Sequence, residues 1–137
     1  LAGIYADLGG RDVAMSTIYT DAGEAKVVDL IDGIAATHLD ATNGKIGWGT
    51  GAGTAAKADT TLFTEASEAR VAVVASQPTA DTNRWVATLT ADGAKTITNA
   101  GLFDAAAAGN LVVHGDFTGI VLALGDKIEF TINLQQT

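Results

Sequence analysis

The chain has 137 residues, which suits one compact domain, and 47% of them are hydrophobic, enough for a core. Its eight Lys and Arg stand against 16 Asp and Glu, a formal charge of −8 with no basic cluster, which argues against nucleic acid and anionic membrane surfaces as partners. Cysteine is absent, so disulfides and thiolate metal sites are excluded, and no apolar run reaches the ~18–20 residues that span a bilayer.

Residues 1–20 hold scattered apolar side chains around Gly9-Gly10, and no single period fits them. A segment of this kind has no face of its own to bury, so it reads as an N-terminal extended arm. Ile4, Tyr5, Met15, Ile18 and Tyr19 are its candidate partner contacts. On that reading, deleting residues 1–20 leaves a folded domain that holds its partner less well.

Asp21 to Gly33 reads as a short helix. Asp21 is the expected N-cap, Glu24 follows three residues later as in a capping box, and Gly33 stands where the helix should stop. Val27, Leu30, Ile31 and Ile34 fall at helical spacing and form the expected apolar stripe.

From Lys45 onward the pattern is β. Ile128, Phe130, Ile132 and Leu134 alternate with polar residues, as do Trp85, Ala87 and Leu89. Leu111, Val113 and Phe117 alternate with Val112, His114 and Asp116, which places His114 on a polar face. Arg70 to Ala75 is almost continuously apolar and suits a central strand, while Lys45–Thr50 and Lys95–Thr98 are shorter candidates. Asn43-Gly44, Asp92-Gly93, Gly109-Asn110 and Gly125-Asp126 mark the turns. Close strand spacing and short connections give a mainly β protein, an antiparallel β-sandwich or jelly-roll-like domain over residues 21–137, preceded by the arm.

Signatures of reactive chemistry are weak. Gly47-Trp48-Gly49-Thr50-Gly51-Ala52-Gly53 has the glycines of a phosphate loop, but Lys57 comes too late and is followed by Ala58. Asp40-Ala41-Thr42-Asn43-Gly44-Lys45 begins like a calcium loop, yet Gly51 stands where the twelfth-position Glu belongs, so a turn is expected. The two histidines, His38 and His114, complete no metal-ligand spacing, and Ser16, Ser67 and Ser76 lack a nucleophile-elbow pattern. No catalytic, cofactor-binding or metal residue is assigned, and the chain is expected not to be an enzyme.

Three stretches together resemble a recurring bacteriophage pattern. Ile46-Gly47-Trp48-Gly49-Thr50-Gly51, then Ala58-Asp59-Thr60-Thr61-Leu62, then Glu68-Ala69-Arg70-Val71 follow an order of a GTG strand-turn, a DTxL segment and a Glu-x-Arg strand start. Downstream, Ile97-Thr98-Asn99-Ala100-Gly101-Leu102-Phe103-Asp104 is similar to an I-T-E-A-G-L-F-D segment, with Asn99 where an acidic residue is common. Gly125 to Thr131 resembles the closing strand of the same pattern. The look is that of phage virion structural proteins, capsid decoration (cement) proteins among them.

The resemblance implies a non-catalytic protein on the outer capsid surface of a virion, bound to the major capsid protein and to itself as a homotrimer. A tail, baseplate or fibre component is the alternative. A carbohydrate-binding module would need Trp48, Trp85 or Tyr19 displayed on an open face, and both tryptophans are expected in the core.

Overall fold

In the computed structural model residues 2–7, 12–14, 16–34 and 36–136 are described, with side chains from residue 17 onward. Among these residues ten strands and one helix follow in the order β1 (Ala2–Asp7), β2 (Asp12–Ala14), β3 (Ser16–Tyr19), α1 (Asp21–Ile31), β4 (Lys45–Gly49), β5 (Val71–Ala72), β6 (Val74–Thr79), β7 (Thr82–Thr90), β8 (Lys95–Phe103), β9 (Leu111–Leu122) and β10 (Lys127–Gln135). They form two five-stranded antiparallel sheets. The first has the order β2-β1-β10-β7-β6 and the second β3-β9-β8-β4-β5. The protein is therefore mainly β and an antiparallel sandwich, as the alternation predicts.

The core lies where the two inner faces meet. Trp85, Ala87 and Leu89 of β7 and Ile128, Phe130, Ile132 and Leu134 of β10 point into it, and their registered partners, such as Phe130 with Ala87, face the same way. Trp48 of β4 meets Phe130 edge-on, with ring centroids 6.3 Å apart.

The second sheet is covered on its outer face as well. The loop of residues 50–70 folds across it and buries Leu62 with Phe103 and Leu111 in a small second cluster. That second cover explains why β9 is buried continuously from Leu111 to Gly115 instead of alternating. It also overturns the expectation for His114, which is 0% exposed.

The apolar run at Arg70–Ala75 makes no central strand. It crosses between the sheets: β5 ends the second sheet, Val73 is buried at the crossing, and β6 edges the first sheet with Val74 exposed. Pro78 sits in β6, where an edge position tolerates its missing N–H.

An extended arm over residues 1–20 is not confirmed, since the described backbone there runs as paired strands. β1 pairs with β10 from Ala2↔Leu134 to Asp7↔Glu129, and β3 pairs with β9 from Ser16↔Asp116 to Tyr19↔Val113.

The helix falls where its signals put it, with its cap one residue earlier. Thr20, not Asp21, is the N-cap: its Oγ1 accepts from the Gly23 N–H at 3.0 Å and donates to the Leu111 carbonyl at 2.6 Å, tying the helix start to β9. Glu24 is thereby displaced from the capping-box position and pairs instead with Lys57 at 2.6 Å. At the other end Gly33 takes φ +72°, and the Ile34 N–H reaches the Asp29 carbonyl across it, which closes the helix as expected.

Candidate functional site

Two kinds of site are candidates in this fold: the buried polar clusters, where chemistry would need a side chain within reach of a substrate, and the exposed apolar surface.

The most enclosed polar cluster surrounds His114. Its Nδ1 lies 2.7 Å from Asp59 Oδ2 and its Nε2 lies 3.1 Å from Asn99 Oδ1, while the Phe63 ring packs on it at a centroid distance of 4.7 Å. Asn99 is fixed in turn by the backbone of residue 63. It accepts from the Phe63 N–H at 3.1 Å and donates to the Phe63 carbonyl at 3.0 Å, as a neighbouring strand would. A His–Asp pair resembles half of a hydrolytic triad, but here the second ring nitrogen is taken by an amide and the ring has no exposed surface. The cluster pins the covering loop to β8 and β9, and Asp59 also holds its own turn by accepting from the Ala56 N–H at 2.8 Å.

The glycine-rich segment serves the same loop. The amides of Thr50 and Gly51 donate to the carbonyls of Thr64 and Phe63 at 2.9 and 2.8 Å, so they are not presented to a phosphate. A Cβ on Gly49 would stand 2.5 Å from the Phe63 carbonyl oxygen, which explains glycine at this close approach. The Asp40 turn is an Asx turn, its Oδ1 accepting from the amides of Thr42 and Asn43 at 2.9 Å each. Among the described residues no group of three or more His, Asp or Glu is arranged to hold a metal ion.

The remaining charged clusters fasten the frame. Glu68 and Arg70 both lie in the loop before β5 and take different partners. Arg70 grips Glu65 with two nitrogens at 2.6 and 2.9 Å and lies over the Phe103 ring, 3.4 Å from its centroid. Glu68 accepts from the Trp48 indole at 3.2 Å and from the Asp92 N–H at 3.1 Å, and it pairs with Lys95. Burial alone would push the Glu68 carboxyl up, but Lys95 and these donors outweigh it and hold it at about 2. Lys26 of α1 reaches inward to Asp104 at 2.8 Å, with both side chains almost fully buried.

The helix carries the unusual surface. Gly23 and Lys26 are its buried positions, so the expected stripe does not enter the core. Leu30 is 37% exposed, Val28 and Ile34 are each 56% exposed, and Ile31 is 78% exposed. The inner side of the stripe borders a groove of about 440 Å³ between α1 and the inner face of the first sheet. Val27, Leu30 and Leu39 form one wall, and Ala75, Trp85 and Leu134 the other. The Trp85 indole donates to the Leu39 carbonyl at 2.6 Å and so fixes the floor. The sequence supplied the stripe but sent it inward. Gly23 lies on the same helix face, four and seven residues before Val27 and Leu30, and Lys26 lies four before Leu30, so the close approach and the inward charge take the first turns of that face and leave its later apolar residues outside the core.

The expected contact residues are dispersed. The backbones of Ile4 and Tyr5 lie in β1, opposite Ile132 and Thr131, and Met15 lies outside the described residues. Ile18 and Tyr19 lie in β3 and are half-buried. The Tyr19 hydroxyl donates to the Gly23 carbonyl at 2.8 Å, and burial, with the Glu24 charge nearby, pushes it up to about 12. Trp48 and Trp85 are both in the core.

The fold and its surface thus define an antiparallel β-sandwich with one helix laid over an apolar groove. No family model matches the chain, and no curated protein and no solved structure matches it.

Proposed function

We propose that this protein is a non-catalytic structural subunit of a bacteriophage particle, a capsid decoration protein that binds the outer shell and bridges neighbouring capsomers. The observation that carries the reading is the outward apolar stripe of α1 beside its groove, since clustered exposed apolar residues mark a surface that is covered in an assembly. The residues that resemble the phage pattern support it in a second way. Gly49, Leu62, Arg70, Asn99 and Phe103 hold the loop of residues 50–70 on the second sheet, which supports reading the pattern as a folding signature.

In this reading the sandwich is jelly-roll-like, with β3–β9 nested beside the terminal pair β1–β10, and it acts as a homotrimer at three-fold positions of the shell. Within residues 1–20 the proposed partner contacts are Ile4 and Tyr5 of β1, Ile18 and Tyr19 of β3, and Met15. A bound clamp stabilises the assembled shell by mass action, and several joined copies turn weak contacts into firm retention. The charge of −8 suits a protein held on the outside, away from packaged DNA.

The test is the copy number in the intact particle, by quantitative mass spectrometry and cryo-electron microscopy. Hundreds of copies on the shell support the proposal. A handful at one vertex replaces it with the tail, baseplate or fibre reading, and none in the particle refutes both.

A further inference from the structure

The groove beneath α1 is wider in chemistry than a small-molecule pocket. Its volume of about 440 Å³ is within the ~300–1,000 Å³ of ligand pockets. The apolar surface does not end at its mouth, however. Val27 and Leu30 line the groove, Ile31, one turn beyond Val27, continues the apolar surface onto the open side of the last helical turn, and Ile34 stands exposed just past the Gly33 turn that ends the helix. Along the other wall, Ala75, Ser76 and Gln77 belong to β6, the outermost strand of its sheet, so the groove opens beside a sheet edge. An occupant that covers both parts is a stretch of polypeptide.

The charges on the groove and on residues next to its lining decide which polypeptide. Asp40 lines the groove, Asp32 follows Ile31, and Asp81 stands beside the last strand, its backbone carbonyl accepting from the Gln136 N–H at 2.9 Å. All three are exposed. Lys26, the one Lys or Arg among the described residues that line the groove, is already paired with Asp104. A second copy of the chain would bring the same acidic rim and another −8 of charge to this face, a like-charge approach.

We propose that the groove docks an extended segment of a different chain, with apolar anchor side chains flanked by Lys or Arg. The anchors enter between Leu30 and Trp85, and the flanking cations meet Asp32, Asp40 and Asp81. This deepens the assembly reading and rests on its premise that the protein works by docking, but it does not depend on the partner being the shell.

The test uses the full chain and two end-capped heptapeptides, Lys-Val-Lys-Phe-Lys-Val-Lys and Glu-Val-Glu-Phe-Glu-Val-Glu, followed by amide and indole NMR shifts. The lysine peptide is expected to bind below about 1 mM, to shift the Trp85 indole and the Ala75–Gln77 amides, and to weaken as salt rises. Leu30→Glu should reduce its affinity about tenfold or more, and the exposed charge reversal Asp32→Lys severalfold. Leu124→Ser, an exposed apolar site elsewhere, should leave it unchanged.

Equal binding of the two peptides, or shifts away from the groove, overturns the proposal, as does no binding by the lysine peptide. Self-association that Leu30→Glu abolishes would make a second copy the occupant and overturn it too. Peptide binding together with absence from the particle would leave this inference standing and remove the shell reading. The reverse result would do the opposite.

Discussion

Lys26 and Asp104 meet with 6% and 7% of their side-chain surface exposed, so each charge relies on the other and on a few polar neighbours. Asp104 accepts from the Asn110 N–H at 2.7 Å and Lys26 donates to the Thr37 carbonyl at 3.0 Å. Burial would raise the Asp104 carboxyl, but Lys26 and Asn110 outweigh it and keep it below the usual range. Removing one partner strands the other: Asp104→Ala is expected to cost about 3–5 kcal/mol in urea unfolding, whereas Lys26→Met with Asp104→Leu should cost far less, because an apolar pair needs no compensation. Glu68 gives a pH signature. Its carboxyl is ordinarily near 4.5 and is held at about 2 in the fold, so the stabilisation is present in full above about pH 4.5 and is lost as pH falls toward 2. About 3 kcal/mol should disappear over that window in denaturant titrations, and Glu68→Gln should remove this part of the slope. Asn99 shows why a residue that departs from the resembling pattern still fits. An acid there would lack the N–H that serves the Phe63 carbonyl, which the Asn99 amide donates at 3.0 Å.

At the scale of elements, α1 is joined to the second sheet through its smallest residue. A Cβ on Gly23 would come within 2.5 Å of the Val112 carbonyl and 2.6 Å of the Tyr19 ring. Gly23→Ala raises intrinsic helix propensity by about 1 kcal/mol. It is nevertheless expected to destabilise the protein by about 1–3 kcal/mol in thermal and urea unfolding, because the helix must lift from β9. This contact also sets the limit of what the sequence discloses. Strands with one wet face, such as β10, are legible because alternation reports directly on solvent. β9 is not, because the loop of residues 50–70 covers its second face and alternation vanishes where both faces are dry. The run at Arg70–Ala75 misleads for a related reason: an apolar stretch reports burial, and a chain crossing between two sheets is buried at Val73 without being central to either. The helix was placed by its caps, but its direction of burial depended on Gly23 and Lys26, whose partners Val112 and Asp104 lie far along the chain. The groove opens beyond that close contact, so only the apolar stripe on its helix wall was legible.

For the whole molecule, the decisive question is whether the N-terminal residues are a removable attachment or part of the sandwich. In the fold β1 is inserted between β2 and β10, and β3 completes the second sheet beside β9. Thr20 then ties the end of β3 to the Leu111 carbonyl and caps α1 in the same step. Removing residues 1–20 therefore exposes the backbone edges of β10 and β9 together, on one side of the sandwich, and deletes the helix cap. The cap alone contributes about 0.5–2 kcal/mol. Two long unpaired edges are also templates for pairing with another chain. The truncated protein is expected to melt well below the full chain and to form larger assemblies or aggregates than the full chain does as concentration rises, read by scanning calorimetry and sedimentation velocity. A truncated chain that keeps the full chain's oligomeric state and melting temperature would restore the free-arm picture drawn from residues 1–20. If it does lose stability, weaker particle binding by the deletion cannot be assigned to lost arm contacts. Shell attachment must then be probed by single substitutions on the outer stripe of α1, such as Ile31→Glu, where 78% exposure leaves the fold unaffected.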